Sequence, residues 1–179
     1  MQLFIGLPLP KNLQETIQTA WRQTNFPFKN RPIRPHTWHL TLAFLDDVSE
    51  DRLEPLKQLM EKAVSHPPGG FFLIDAFESF PPKRPNRVVL KVYPQNENEW
   101  KTFVRDLRDM ASLIAPGLDR KPWIPHISIT KAERGLILPT WQHKIETIEW
   151  RPDHVAIIKS EMELAGAVHT NLHVFPFNV

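Results

Sequence analysis

The chain has 179 residues, of which 41% are hydrophobic and 23% charged, and its formal net charge is +2. That length suits one domain or two closely joined lobes with a proper core, and so small a net charge excludes a generic polycation. With no cysteine, disulfides, thiolate metal sites and cysteine nucleophiles are excluded.

Gln2 to Leu7 reads as an opening strand stopped by Pro8 and Pro10. A helix follows, in which Asn12 and Glu15 have the spacing of a capping box and Leu13, Ile17, Ala20 and Trp21 share one face. Asn25 to Pro35, with three prolines and three basic residues, reads as a loop, and Trp38 to Leu45 as a strand. Ser49 to Val64 has a helical apolar stripe. Pro55 would cost about 3 kcal/mol in a helix interior, which moves the expected start to near Glu54. Pro67-Pro68-Gly69-Gly70 breaks the chain before two strands, Phe71–Phe80 and Asn86–Tyr93. Asn96 or Asn98 caps a third helix carrying Trp100, Phe103, Leu107, Met110 and Ile114, ended by Pro116-Gly117. Trp123 to Lys131 is a further strand. After a mixed loop, Val155–Glu163 and Val168–Phe177 close the chain as a hairpin around Ala165-Gly166. Helices do not alternate strictly with strands, so the order predicts an α+β fold with mainly antiparallel sheet.

Two stretches in this order share one pattern: His39-Leu40-Thr41-Leu42 and His126-Ile127-Ser128-Ile129, 87 positions apart. On a strand, side chains alternate between faces. His39 and Thr41 therefore share a face, as do His126 and Ser128, while the aliphatic residues point into a core. Two imidazoles that titrate near neutrality can serve as base and acid, and a hydroxyl beside each can hold a phosphate oxygen. A single such His is more often structural or merely exposed; the repeat in matching contexts is what favours chemistry. Basic residues gather nearby: Lys29, Arg31 and Arg34; Lys83, Arg84 and Arg87; Arg120 and Lys121; Lys131 and Arg134. They favour an anionic substrate, although any one cluster is also what a solvated loop looks like.

Competing chemistries are weaker. Ser128 lacks the G-x-S-x-G surroundings of a serine nucleophile. His169 and His173 share a strand face as a metal pair would, yet no third ligand accompanies them, and exposed hairpin histidines are the simpler account. His36, His66, His143 and His154 have no patterned context. A nucleotide-binding module without catalysis, stacking bases on Trp38 and Trp123, is the alternative of a different class.

With these flanks the chain resembles the 2H phosphoesterases, and among them the RNA 2′,3′-cyclic phosphodiesterases, also called the 2′-5′ RNA ligase family. The resemblance is carried by Gln2 to Pro10, by Trp38-His39-Leu40-Thr41-Leu42-Ala43-Phe44-Leu45, by Glu78 to Val88, and by Lys121 to Lys131 with Pro125 before the His. It implies one 2H phosphoesterase domain over residues 1–179: two pseudo-symmetric lobes of mainly antiparallel sheet with outer helices around a central V-shaped cleft. It implies cofactor-free and metal-free opening of 2′,3′-cyclic phosphates to 2′-phosphomonoesters, with reversible 2′-5′ ligation as the companion reaction. His39 and His126 would be the catalytic pair, cast as acid and base respectively. Thr41 and Ser128 would hold the phosphate; in a mechanism built on this pair Lys131 joins them on the non-bridging oxygens, and Trp123 and Lys121 are candidate substrate contacts. The implied partners are RNA with 2′,3′-cyclic phosphate ends or small cyclic nucleotides. Neither a leader nor a membrane span is visible, so a soluble, cytoplasmic monomer is the default. The chain departs from the family pattern at Asp46, where glycine is usual, at Lys121 and Lys131, where arginine is usual, and near His169, where tyrosine is common.

Overall fold

Two four-stranded antiparallel halves meet at the two motif strands. The computed structural model describes residues 1–164 and 166–177. Its elements run β1 (Gln2–Pro8), α1 (Lys11–Gln23), β2 (Asn30–Pro32), β3 (His39–Asp47), α2 (Leu53–Ala63), β4 (Phe72–Phe80), β5 (Arg87–Pro94) and α3 (Glu97–Ala111). They continue with β6 (His126–Ala132), β7 (Gln142–Trp150), β8 (His154–Glu163) and β9 (Gly166–Pro176). The strand order is β7-β4-β5-β6-β3-β1-β8-β9, with β2 added beside β6. The first half is thus β3-β1-β8-β9 and the second β6-β5-β4-β7. Among the described residues, β3 and β6 join them through a single register pair, Leu40 with Ile127.

All three helices cover one face of this sheet. Leu13 and Ile17 of α1, Leu56 and Met60 of α2, and Trp100, Val104 and Leu107 of α3 are buried in one cluster with Leu40, Leu42, Ile127 and Ile129. Burying each such side chain stabilises the fold by about 1.5–3 kcal/mol. The opposite face carries a small separate cluster, Phe4, Ala156 and Ile158, and the four motif side chains lie there.

Several local expectations are corrected. No capping box forms at Asn12: α1 begins at Lys11 after Pro10, without a side-chain cap, and Gln14 Nε2 instead donates to the Leu9 carbonyl at 2.8 Å. Asn96 does precede α3, but its side chain makes no cap and turns to the Gly69 carbonyl. Pro55 is tolerated because α2 starts at Leu53 after a 3-10 turn (Glu50–Arg52), leaving proline in the first helical turn, where no backbone donor is needed. The expected loop 25–35 contains β2, and the mixed loop before Val155 contains β7. Ala165, half of the expected closing turn, lies outside the described residues.

The two motif strands share an irregularity. Gly6 pairs with Thr41 and Ile5 with Ala43, so Leu42 is an extra residue in β3. Val89 pairs with Ser128 and Val88 with Thr130, so Ile129 is an extra residue in β6. A bulge reverses the alternation beyond it. Ala43 and Thr130 therefore turn inward and are buried, while Phe44 and Lys131 turn outward beside the motif side chains. Each bulge carbonyl finds a donor: Arg108 Nε reaches Leu42 O at 2.8 Å, and Ile33 N reaches Ile129 O at 3.0 Å.

Candidate active site

The antiparallel pairing at Leu40 and Ile127 brings the motifs together head to tail. One residue to either side, His39 runs beside Ser128 and Thr41 beside His126, all four on the face opposite the buried Leu40 and Ile127. Each histidine is half-buried, and each is fixed in the same way. His39 Nδ1 lies 2.7 Å from the carbonyl of Thr37, and His126 Nδ1 lies 2.7 Å from the carbonyl of Ile124. A carbonyl only accepts, so Nδ1 carries the hydrogen in both rings. In the neutral form Nε2 is left as the basic nitrogen, and among the described residues it has no intramolecular partner. Each ring also rests on a phenyl group: His39 on Phe4 at 4.4 Å between centroids, His126 on Phe80 at 4.8 Å. Gly6 pairs with Thr41 on the neighbouring strand, where a Cβ would crowd the Leu40 carbonyl oxygen at 3.1 Å.

Burial dominates the electrostatics. It pushes the His39 pKa down to about 4, against the opposing bond to Thr37 and helped by the neighbouring charges of His169 and His126. His126 is lowered by burial too, with the Arg87 guanidinium adding to the effect. Both imidazoles are therefore neutral near pH 7 before an anion arrives.

The remaining residues singled out from sequence take different places. The hydroxyls of Thr41 and Ser128 make no intramolecular hydrogen bond among the described residues. Lys131 lies on the same side, and partial desolvation of its ammonium together with Arg87 and Arg31 holds its pKa down. Trp123 is half-buried against the core, and its indole N–H donates to Thr41 O at 2.9 Å. It ties the segment before β6 to β3. The Lys121 side chain is 86% exposed beside Asp119, while its carbonyl accepts from Arg108. Trp38 is core, with its indole N–H on Ile33 O.

His169 is the site residue that sequence reasoning missed. It is half-buried rather than exposed. Its ring lies 4.9 Å from His39 and 5.1 Å from Phe4, and its Nδ1 is 3.3 Å from the Thr37 carbonyl that also accepts from His39. Burial lowers its pKa. It does not share a face with His173. Ile158 pairs with Asn171 and Ile157 with His173, so Leu172 is an extra residue that reverses the alternation between the two histidines. The signal available in sequence was the aromatic position near His169 in the family pattern.

Fold and paired motifs are similar to those of known phosphoesterases. Residues 7–90 match the family described as LigT like Phosphoesterase. Over 98% of this chain and 89% of its own length, an RNA 2′,3′-cyclic phosphodiesterase of Thermus thermophilus is 26% identical. One of Escherichia coli is 29% identical over 77% of this chain and 76% of its own. The crystal structure of TT0787 of Thermus thermophilus superposes with a TM-score of 0.84 at 22% identity, covering 99% of this chain and 98% of that one. Among the described residues no helix is long and apolar enough to cross a membrane, and no group of three or more His, Asp or Glu side chains is arranged to hold a metal ion.

Proposed function

We propose that the protein hydrolyses 2′,3′-cyclic phosphates at RNA ends, or in small cyclic nucleotides, to 2′-phosphomonoesters. The observation that carries this reading is the matched pair of Nδ1–H bonds, His39 to Thr37 and His126 to Ile124. They leave two Nε2 atoms of the same tautomer on one face, each beside a hydroxyl without an internal partner. The names of the relatives support the same activity.

One imidazole takes a proton from water as its oxygen attacks phosphorus. The bond from phosphorus to the 3′ oxygen breaks, and the other imidazole, protonated, gives its proton to that oxygen. Thr41, Ser128 and Lys131 bind the non-bridging oxygens, where fixed donors aid the developing charge most. Since His39 sits near a pKa of about 4 in the free protein, it fills the acid role only once the phosphate anion beside it has raised that value; His126 then acts as base. With a 5′-hydroxyl in place of water, the same steps join its oxygen to phosphorus as the 3′ oxygen leaves, and make a 2′-5′ linkage.

Phosphorus NMR of the protein with adenosine 2′,3′-cyclic phosphate in excess EDTA tests this. The 2′-phosphate accumulates, and His39→Ala and His126→Ala each slow its formation by about 10²–10⁴-fold. Accumulation of the 3′-phosphate would reverse the leaving group. Tight binding without turnover would make the cleft a binding module.

A further inference from the structure

We propose that the depression beside Lys131, at the far end of the second motif strand, is a second phosphate subsite, which takes the phosphate on the 5′ oxygen of the ribose whose cyclic phosphate is opened. The inference rests on the cyclic phosphodiesterase reading and names its substrate class. That class is a 5′-phosphorylated ribose, as in an RNA chain or a 5′-nucleotide, rather than a bare nucleoside cyclic phosphate.

The argument begins with strand register. Lys131 of β6 is paired on one side with Arg31 of β2 and on the other with Arg87 of β5. Three cations thus stand in one cross-strand row. Like charges directly opposite destabilise a sheet, and this row has no built-in relief. Among the described residues none of the three lies within ion-pair distance of a carboxylate, the ion pairs being formed elsewhere. The two guanidinium groups are held from behind: Arg31 Nε donates to Ala132 O at 3.1 Å and Arg87 Nε to Asn86 Oδ1 at 3.0 Å. Their outer nitrogens are left for something else. The row borders an open cavity of about 330 Å³, also lined by Arg134 and by Glu133. One carboxylate against four cations leaves the cavity strongly positive.

Position gives the second argument. Lys131 stands between the two phosphates and is shared by them, with Arg31 and Arg87 on its flanks serving the second. Ser128 and Lys131 are three residues apart on β6, no more than about 10 Å along a strand and shortened by the bulge at Ile129. That is the span of one nucleotide. The equivalent row in the other half is apolar: Phe44 pairs with Phe4, which pairs with Ile158. Phe44, which occupies the position of Lys131, is 52% exposed. The cations therefore lie on one side of the histidine pair only, so a bound chain has a defined direction, with its 5′ phosphate toward β2 and β5.

The test compares kcat/KM for three substrates: adenosine 2′,3′-cyclic phosphate with a 5′-hydroxyl, the same with a 5′-phosphate, and the dinucleotide ApA ending in a 2′,3′-cyclic phosphate. Each is measured with the native protein, Arg31→Gln and Arg134→Glu. The expected result is at least a tenfold preference for a substrate bearing the 5′ phosphate, falling to threefold or less in either variant and at high salt. Preference for the dinucleotide alone assigns the subsite to an RNA chain, and preference for the 5′-phosphate alone to a nucleotide. Equal rates on all three, with turnover intact, would overturn the subsite and leave the cyclic phosphodiesterase reading standing. No turnover of the 5′-hydroxyl substrate, nor of the others, would instead remove the reading on which the subsite rests. Arg134 is exposed and makes no intramolecular hydrogen bond among the described residues, so its variant remains informative if Arg31→Gln folds poorly.

Discussion

Leu40 of β3 and Ile127 of β6 form the single described register pair between the two halves of the sheet, and both are fully buried. The four motif side chains flank this pair on the other face, so the spacing of the imidazoles depends on two aliphatic residues that touch no substrate. Leu40→Ala is expected to cost about 2–5 kcal/mol, the range for emptying a packed core position. Ile127→Ala should cost a similar amount. In a double-mutant cycle the two should couple by about 0.5–3 kcal/mol, read from urea unfolding. Additive costs would show that the halves are held together elsewhere.

Asp46, next to last in the first motif strand, lies in the left-handed region, at φ 63°. That conformation costs an ordinary L-residue roughly 1–2 kcal/mol, less for Asp, and glycine nothing. The glycine usual in the family is thereby explained, and Asp is the kind of side chain that can stand in for it. Asp46→Gly should raise stability by about 0.5–1 kcal/mol and Asp46→Ala lower it by about 1 kcal/mol. Thermal unfolding of the two variants against the native chain checks the order.

How far the sequence could be read followed from how local each feature is. The His39 and His126 motifs, and the stripes of α1 and α3, are short-range patterns of period 2 or 3.6, and they were legible. β7 was not: Gln142–Trp150 is an edge strand with mostly polar or half-exposed positions, so no apolar alternation marks it. His169 could not be assigned to the site because its face depends on the bulge at Leu172, and an extra residue leaves no mark in a two-residue period. The row Arg31–Lys131–Arg87 was visible only as three unrelated basic clusters. Strands distant in sequence become neighbours through pairing, and register is a property of the sheet, not of any one segment.

The depressed His39 pKa makes stability depend on pH. The unfolded chain takes up a proton at His39 below its ordinary pKa of 6.5, whereas the folded protein does so only near about 4. Between these values the unfolded state binds more protons, so stability falls as the pH falls. From pH 7 to pH 4.5 the loss due to this group is about 2 kcal/mol. His126 and His169, lowered in the same direction, add to it. Urea unfolding at the two pH values should show the loss, and His39→Asn should remove about 2 kcal/mol of it. An equal loss in the variant would place the acid sensitivity at other groups.

His169 is a positioning residue by its geometry: it shares the Thr37 carbonyl with His39 and packs against the same ring. Its charge also lowers the His39 pKa. His169→Phe keeps an aromatic ring against His39 but removes the charge and the competing N–H. The His39 pKa should then rise above about 4, followed by NMR titration of the imidazole, and the pH profile of kcat/KM, which reports the free protein, should move the same way. His169→Ala removes the packing as well and is expected to lower kcat/KM about tenfold, with the Phe variant recovering most of it. Since the His39 and His126 imidazoles are neutral near pH 7 in the free protein, the proposed mechanism requires kcat/KM of the native chain to decline as pH rises from 6 to 8, because the protonated acid becomes rarer. A His39 titration unchanged in His169→Phe, or a native profile that climbs toward pH 8, would contradict this account of how the third histidine acts.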